Sequence, residues 1–172
     1  MTHRTLLVDI SNVLFRVAKA MQARDKSLGG AATAGLSMHS SLVTINKWYN
    51  KFEPDRVIFA FEGGNNWRKA YTSSDLSIRK IPYKGNRVKD PEMEPFFAIL
   101  ADLKELTKKH SAITCLSLDL MEADDVIAAY CQTHANENNE VYVLSGDRDF
   151  IQLLRNPHVK LVDPDTGKFR NQ

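Results

Sequence analysis

At 172 residues, with 43% hydrophobic and 26% charged residues, the chain suits one globular domain with a real core. Its formal net charge of +2 gives no global sign of a nucleic-acid partner, so such a reading has to rest on where the charges lie. Cys115 and Cys131 each sit in an apolar stretch, which argues against a disulfide framework or a zinc site, and Asp9 cuts short the first apolar run; with no signal peptide and no run of membrane length, a cytoplasmic protein without a membrane partner is expected.

Arg4 to Asp9 reads as a short strand ending in an acid, with Ser11 and Asn12 offering an N-cap for a helix through Phe15 to about Ala23. Residues 24–34, with Gly29 and Gly30, read as a loop, and 35–51 as a helix with Leu36, Leu42, Val43, Ile45 and Trp48 on one face. Val57 to Phe61 has the continuous apolar pattern of a strand buried on both faces. Residues 62–91 are polar with few apolar anchors, and 92–109 return to helical periodicity. A strand at 112–118, a helix at 123–134, a strand at 141–145, a short helix at 149–154 and a strand at 159–162 follow, after which 163–172 are turn-rich and taper away. The alternation predicts an α/β fold, a five-stranded parallel sheet with helices on both faces.

Asp9 closes the first predicted strand and Glu62 the second; Glu122, Asp124 and Asp125 follow the third, and Asp147 and Asp149 the fourth. In a parallel sheet these positions share the edge beyond the carboxyl ends of the strands, where ligands bind. Each acid alone has an ordinary role available, capping free N–H groups or complementing a helix dipole. Seven carboxylates from four segments at one edge repel one another unless something positive is bound. Hard oxygen ligands without a nearby His or Cys favour Mg²⁺ or Mn²⁺, and a two-ion site of that kind suits phosphoryl transfer by activating a water and stabilising the leaving oxygen. There is no GxxxxGK(S/T) loop, which excludes a P-loop NTPase; the run Asp9-Ile10-Ser11-Asn12-Val13 lacks the second acid of an aspartyl-phosphate phosphatase and the third hydroxyl of a DxSxS motif.

Between Arg68 and Lys89 lie seven cations (Arg68, Lys69, Arg79, Lys80, Lys84, Arg87, Lys89) against one acid, Asp75, with Trp67, Tyr71 and Tyr83 interleaved or adjacent. A solvated polar loop is the plain interpretation on charge alone. Its place beside the acidic edge favours nucleic-acid contact instead, cations on phosphates and aromatics on unpaired bases.

The blocks LLVDISNVLFR, FAFEGGNNWRKAY, IPYKGNR, MEADDVIAAY and LSGDRDFIQLL, in that order, resemble the flap endonucleases and 5′→3′ exonucleases of bacteria and phages over roughly residues 4 to 165. That family includes the N-terminal nuclease domain of bacterial DNA polymerase I. The resemblance implies a PIN-like, Rossmann-like nuclease domain over 1–172, with the basic segment at about 63–91 as an arch or clamp. It implies metal binding at Asp9, Glu122, Asp124, Asp125, Asp147 and Asp149, with Glu62 standing where the family usually has Asp, its charge kept and a methylene added. It also implies phosphate contacts from Arg16, Arg68, Lys84 and Arg87, and a place near the scissile phosphate for Tyr83. The activity implied is Mg²⁺-dependent hydrolysis of DNA at flaps, nicks or free 5′ ends, or of primer RNA in an RNA–DNA hybrid, in replication or repair.

The family's helix-turn-helix segment, which grips duplex DNA, has no counterpart here. A truncated chain, half of a split nuclease completed by a second polypeptide, and a minimal version that works alone all fit this. Two other classes stay open: a PIN-type ribonuclease, identified by RNA-only cleavage, and a non-catalytic nucleic-acid-binding subunit, against which the complete acid set argues.

Overall fold

A computed structural model describes residues 2–171 except 26, 28, 75–82 and 85–90, and all their side chains but that of Glu92. Five strands form one sheet: β1 (His3–Asp9), β2 (Arg56–Ala60), β3 (Thr114–Leu116), β4 (Asn139–Leu144) and β5 (Val159–Val162). All neighbours pair in parallel, in the order β3-β2-β1-β4-β5. The helices are α1 (Ile10–Arg24), α2 (Gly30–Phe52), α3 (Trp67–Thr72), α4 (Glu94–His110) and α5 (Ala123–His134), with 3-10 turns at Pro91–Met93 and Asp149–Arg155.

The central strand shows why both faces are covered. Leu7 turns to one side with Ile58, Val141 and Leu161, under Val126 and Ile127 of α5 and Phe150 of the 3-10 turn. Leu6 and Val8 turn to the other with Phe59 and Leu144, under Val13 of α1, Ile45 and Trp48 of α2 and Leu103 of α4. Side chains alternate along a strand, so a run with no polar member needs apolar cover on both faces. Parallel register then sets the functional edge: Asp9 lies beside Ala60, and Val8 beside Leu144. Glu62 and Asp147 therefore leave the sheet close to Asp9.

Four local expectations are corrected. The N-cap of α1 is Asp9 itself, whose carboxylate accepts the Asn12 amide at 3.1 Å, so the helix starts directly from the strand rather than after Ser11 or Asn12. The loop at 24–34 ends early, because α2 already begins at Gly30: Ala31, Ala32 and Ala34 favour the helix and outweigh the glycine pair. The polar stretch after Glu62 is not all loop, since Asn66 accepts the Arg68 amide and caps α3. The tail is also tied down: Trp48 Nε1 donates to the Pro164 carbonyl at 2.8 Å, and Phe169 packs against Phe52 and Tyr142.

The loops after β2 and β3 are laced together by their backbones. The Gly63 amide donates to the Met121 carbonyl, Leu120 to Gly64, and Trp67 to Leu120, at 2.9, 2.8 and 2.9 Å. A Cβ on Gly63 would fall 1.9 Å from the Leu118 carbonyl oxygen, so only glycine permits this approach. Leu120 takes a left-handed backbone (φ 68) within the same lacing, a conformation costly for a non-glycine residue and held by its surroundings. The lacing fixes the segment that carries Glu62 against the one that leads into Glu122.

Candidate metal and nucleic-acid site

Asp9 is 4% exposed at the centre of the sheet edge. Its carboxylate accepts the Asn12 amide and, at 2.9 Å, the Ser145 hydroxyl. Burial, then the charges of Asp124 and Glu62, outweigh these two hydrogen bonds and push its pKa up to about 7. Asp124 is pushed to about 6 by partial burial and by Asp147, Glu62 and Glu122. Five carboxylates, Asp9, Glu62, Glu122, Asp124 and Asp147, thus form one mutually repelling group. Glu62 is also oriented: it accepts the Ala123 amide at 3.2 Å, at the positive end of α5.

Glu122 and Asp125 have protein cations already. Arg68 from α3 donates to both oxygens of Asp125 at 2.6 Å each and to Glu122 at 2.9 Å. Lys84 Nζ and the Tyr83 hydroxyl donate to Glu122 at 2.5 and 2.9 Å. Burial pushes Glu122 up, but the hydrogen bonds from Lys84 and Tyr83 and the charges of Lys84 and Arg68 hold it below its ordinary value. The Arg68 hydrogen bonds lower Asp125 in the same way, and Asp125 also accepts the Glu122 amide at 3.2 Å, the capping role open to first-turn acids. Asp149 opens the 3-10 turn in an exposed position, its amide on Asp147. Among the described residues no three His, Cys, Asp or Glu side chains close into a metal cage. The donor chemistry fits a hard divalent cation nonetheless: the unpaired group is all carboxylate, and the strained member, Asp9, is relieved by positive charge.

The cations expected from sequence separate into three sets. Arg68 and Lys84, with Tyr83, reach the acids; the Arg68 guanidinium also lies 4.7 Å from the Trp67 ring centre and 5.9 Å from that of Tyr83. Lys69 is exposed on α3, and Arg16 sits on the β4 side of the edge, paired with Asp163 and Asp165. Arg79, Lys80 and Arg87 lie outside the described residues.

Three site-supporting residues escape the sequence reading. Ser145 holds Asp9, and the Asn12 side chain accepts the Gly146 amide at 2.8 Å; both stand next to the acid blocks, which is the one signal available. Lys104 has none. From α4 it donates to the Glu62 carbonyl at 3.1 Å and the Ser117 hydroxyl at 2.7 Å, pinning the ends of β2 and β3. Lys104→Met keeps the stem and removes both bonds. It should cost about 1 kcal/mol in stability and raise the divalent-metal midpoint for activity by about three- to tenfold; an unchanged metal midpoint in a titration would show that the lysine does not position Glu62.

The structure is thus an α/β domain whose parallel sheet carries a carboxylate crest, with Arg68, Tyr83 and Lys84 against it. A family model described as 5′-3′ exonuclease, N-terminal resolvase-like domain, matches residues 4–172, and the chain belongs to that family. It is 31% identical over 156 residues to DNA polymerase I of Geobacillus stearothermophilus, covering 89% of this chain and 16% of the relative. It is likewise 31% identical over 157 residues to DNA polymerase I of Lactococcus lactis, covering 88% and 16%. The chain therefore spans 16% of the length of these relatives. In fold it is similar to the bacteriophage T5 flap endonuclease in a pseudo-enzyme-product complex with DNA and metal ions, with TM-score 0.68, 21% identity, and 98% of this chain and 58% of that one covered. It also resembles T5 5′-exonuclease with bound zinc, at TM-score 0.67, 20% identity and coverage of 98% and 58%. Among the described residues no helix is long and apolar enough to cross a membrane.

Proposed function

We propose that this chain is the catalytic core of a metal-dependent 5′-nuclease that hydrolyses DNA phosphodiesters near 5′ ends, at flaps or nicks. The observation that carries this reading is Asp9: a buried carboxylate where two other acid segments meet it, displaced to about 7 by burial and by Asp124 and Glu62. Asp9, Glu62, Asp124 and Asp147, with Glu122 beside them, are the residues that would hold two Mg²⁺ or Mn²⁺ ions. When bound, such ions orient the phosphate, activate a water and neutralise charge on the leaving oxygen.

The chain's own residues supply the rest. Asn12 and Ser145 fix Asp9 in orientation, and the laced loops fix Glu62 against Glu122. Arg68 and Lys84 form a cationic wall that neutralises Glu122 and Asp125 while no substrate is present, and whose charge can be shared with a phosphate when one arrives. Trp67 and Tyr71 are 43% and 47% exposed beside that wall, suited to stacking on an unpaired base. The segment 63–91 is thus a clamp on the single strand. The test is cleavage of a 5′-flap duplex in Mg²⁺ with a chelator control: products near the junction only when metal is present support the reading, and products formed equally in chelator defeat it.

A further inference from the structure

A second cationic surface lies on the β4 side of the acidic edge, apart from Arg68 and Lys84, which meet Glu122 and Asp125. Between α1, α2 and the tail runs a groove of about 590 Å³ with an apolar floor of Val17, Ala20, Met21 and Pro164, and with Arg16, Lys19, Arg24, Ser40, Thr44 and Lys47 among its lining residues. Asp165 is the acid among its lining residues, and it is already paired with Arg16. Among the described residues Lys19, Arg24, Ser40 and Thr44 make no side-chain hydrogen bond or ion pair. The Arg16 Nε is buried without a hydrogen-bond partner, an arrangement that costs stability unless something else accepts from it. Arg16, one of the lining residues, packs on Gly146 beside Asp147, where a Cβ would fall 2.3 Å from its guanidinium nitrogen.

We infer that this groove binds the phosphate backbone of duplex DNA as it leaves the metal site on the side opposite the clamp, an inference that rests on the nuclease reading above. The donors are of the kind phosphates select, cations with hydroxyls between them. Arg16, Lys19 and Arg24 lie on one helix over about 12 Å, enough to face three or four phosphates spaced about 3.4 Å along the axis of one strand. With the clamp on one side and this groove on the other, the scissile phosphate is held from both directions, and the groove takes the duplex arm.

The test is binding of a 5′-flap duplex in Ca²⁺ by wild type and by a variant carrying Lys19→Ala, Arg24→Ala and Lys47→Ala, between about 50 and 200 mM salt. These side chains are exposed, so a thermal midpoint equal to wild type checks the fold. The variant should bind roughly ten- to a hundredfold more weakly, and the slope of log affinity against log salt should shrink by about three. If wild type binds and cuts the duplex while the variant shows the same affinity and slope, the groove is not a DNA site and the nuclease reading stands. If wild type neither binds nor cuts, the nuclease reading falls and this inference falls with it.

Discussion

Asp9→Asn, in the absence of metal, should be more stable than wild type at pH 8, should keep only about a third of that advantage at pH 5, and should lose it below about pH 4. The native Asp9 carboxyl titrates at about 7 against an ordinary 3.8, so between those values the folded chain holds a proton that the unfolded chain has released. Stability from this group is therefore full below about pH 4 and is lost as pH rises through 7. At 1.36 kcal/mol per pH unit the displacement corresponds to roughly 4 kcal/mol. Asparagine keeps the shape, accepts the Asn12 amide and can donate to Ser145, so it removes the charge without leaving a hole. Asp124, displaced to about 6, adds to the same trend in both proteins. Added Mg²⁺ should reverse the order, because only wild type gains stability by linkage. Urea titrations at pH 5 and pH 8 in chelator check this, and parallel pH profiles for the two proteins would mean that Asp9 carries no strained charge.

Lys84→Ala should lower the single-turnover cleavage rate by about 10²- to 10³-fold while weakening DNA binding in Ca²⁺ by less than about tenfold. Lys84 reaches the acid edge rather than standing out in solvent: it donates to Glu122 at 2.5 Å, lies 5.0 Å from the Tyr83 ring centre, and takes a left-handed backbone at φ 57. A cation held at that point meets charge that grows on the phosphate as the bond breaks, so its removal weighs on the rate. A cation that only neutralises a distant phosphate would instead lower affinity and the salt slope. Rapid-quench rates set beside equilibrium binding separate these cases; a loss of affinity with an unchanged rate would move Lys84 from the chemistry to the clamp.

The sheet was readable because its strands carry short apolar runs, as at Leu6, Leu7 and Val8 or Val57, Ile58 and Phe59, and its helices have apolar faces. α5 and β5 have the bounds that periodicity predicts, Ala123–His134 and Val159–Val162. The crest was readable for the same reason: once the strands are parallel, acids after their carboxyl ends must share an edge. What spacing does not carry is which acid meets which cation. Arg68 pairs with Asp125 across 57 residues and Lys84 with Glu122 across 38, contacts that exist only because the laced loops swing α3 over the crest. Lys104 escaped because its partners, the Glu62 carbonyl and the Ser117 hydroxyl, are distant in sequence and one of them is backbone, which leaves no mark in side-chain pattern. The start of α2 at Gly30 and the docking of Phe169 are tertiary outcomes of the same kind, decided by packing rather than by local propensity.

The central claim, that the carboxylate crest hydrolyses DNA through bound metal, is tested most directly by single-turnover cleavage of a 5′-labelled flap duplex by the chain and by its Asp147→Ala variant, in Mg²⁺ and in chelator. Asp147 is one of the acids that raise Asp124, and removing it takes a donor from the group without touching the Asp9 hydrogen bonds. The account predicts cleavage near the junction by wild type in Mg²⁺, none in chelator, and a rate at least about 10³-fold lower for the variant. Cleavage that persists in chelator and in Asp147→Ala would contradict it, as would a folded wild-type chain that binds the duplex and leaves it intact in both Mg²⁺ and Mn²⁺.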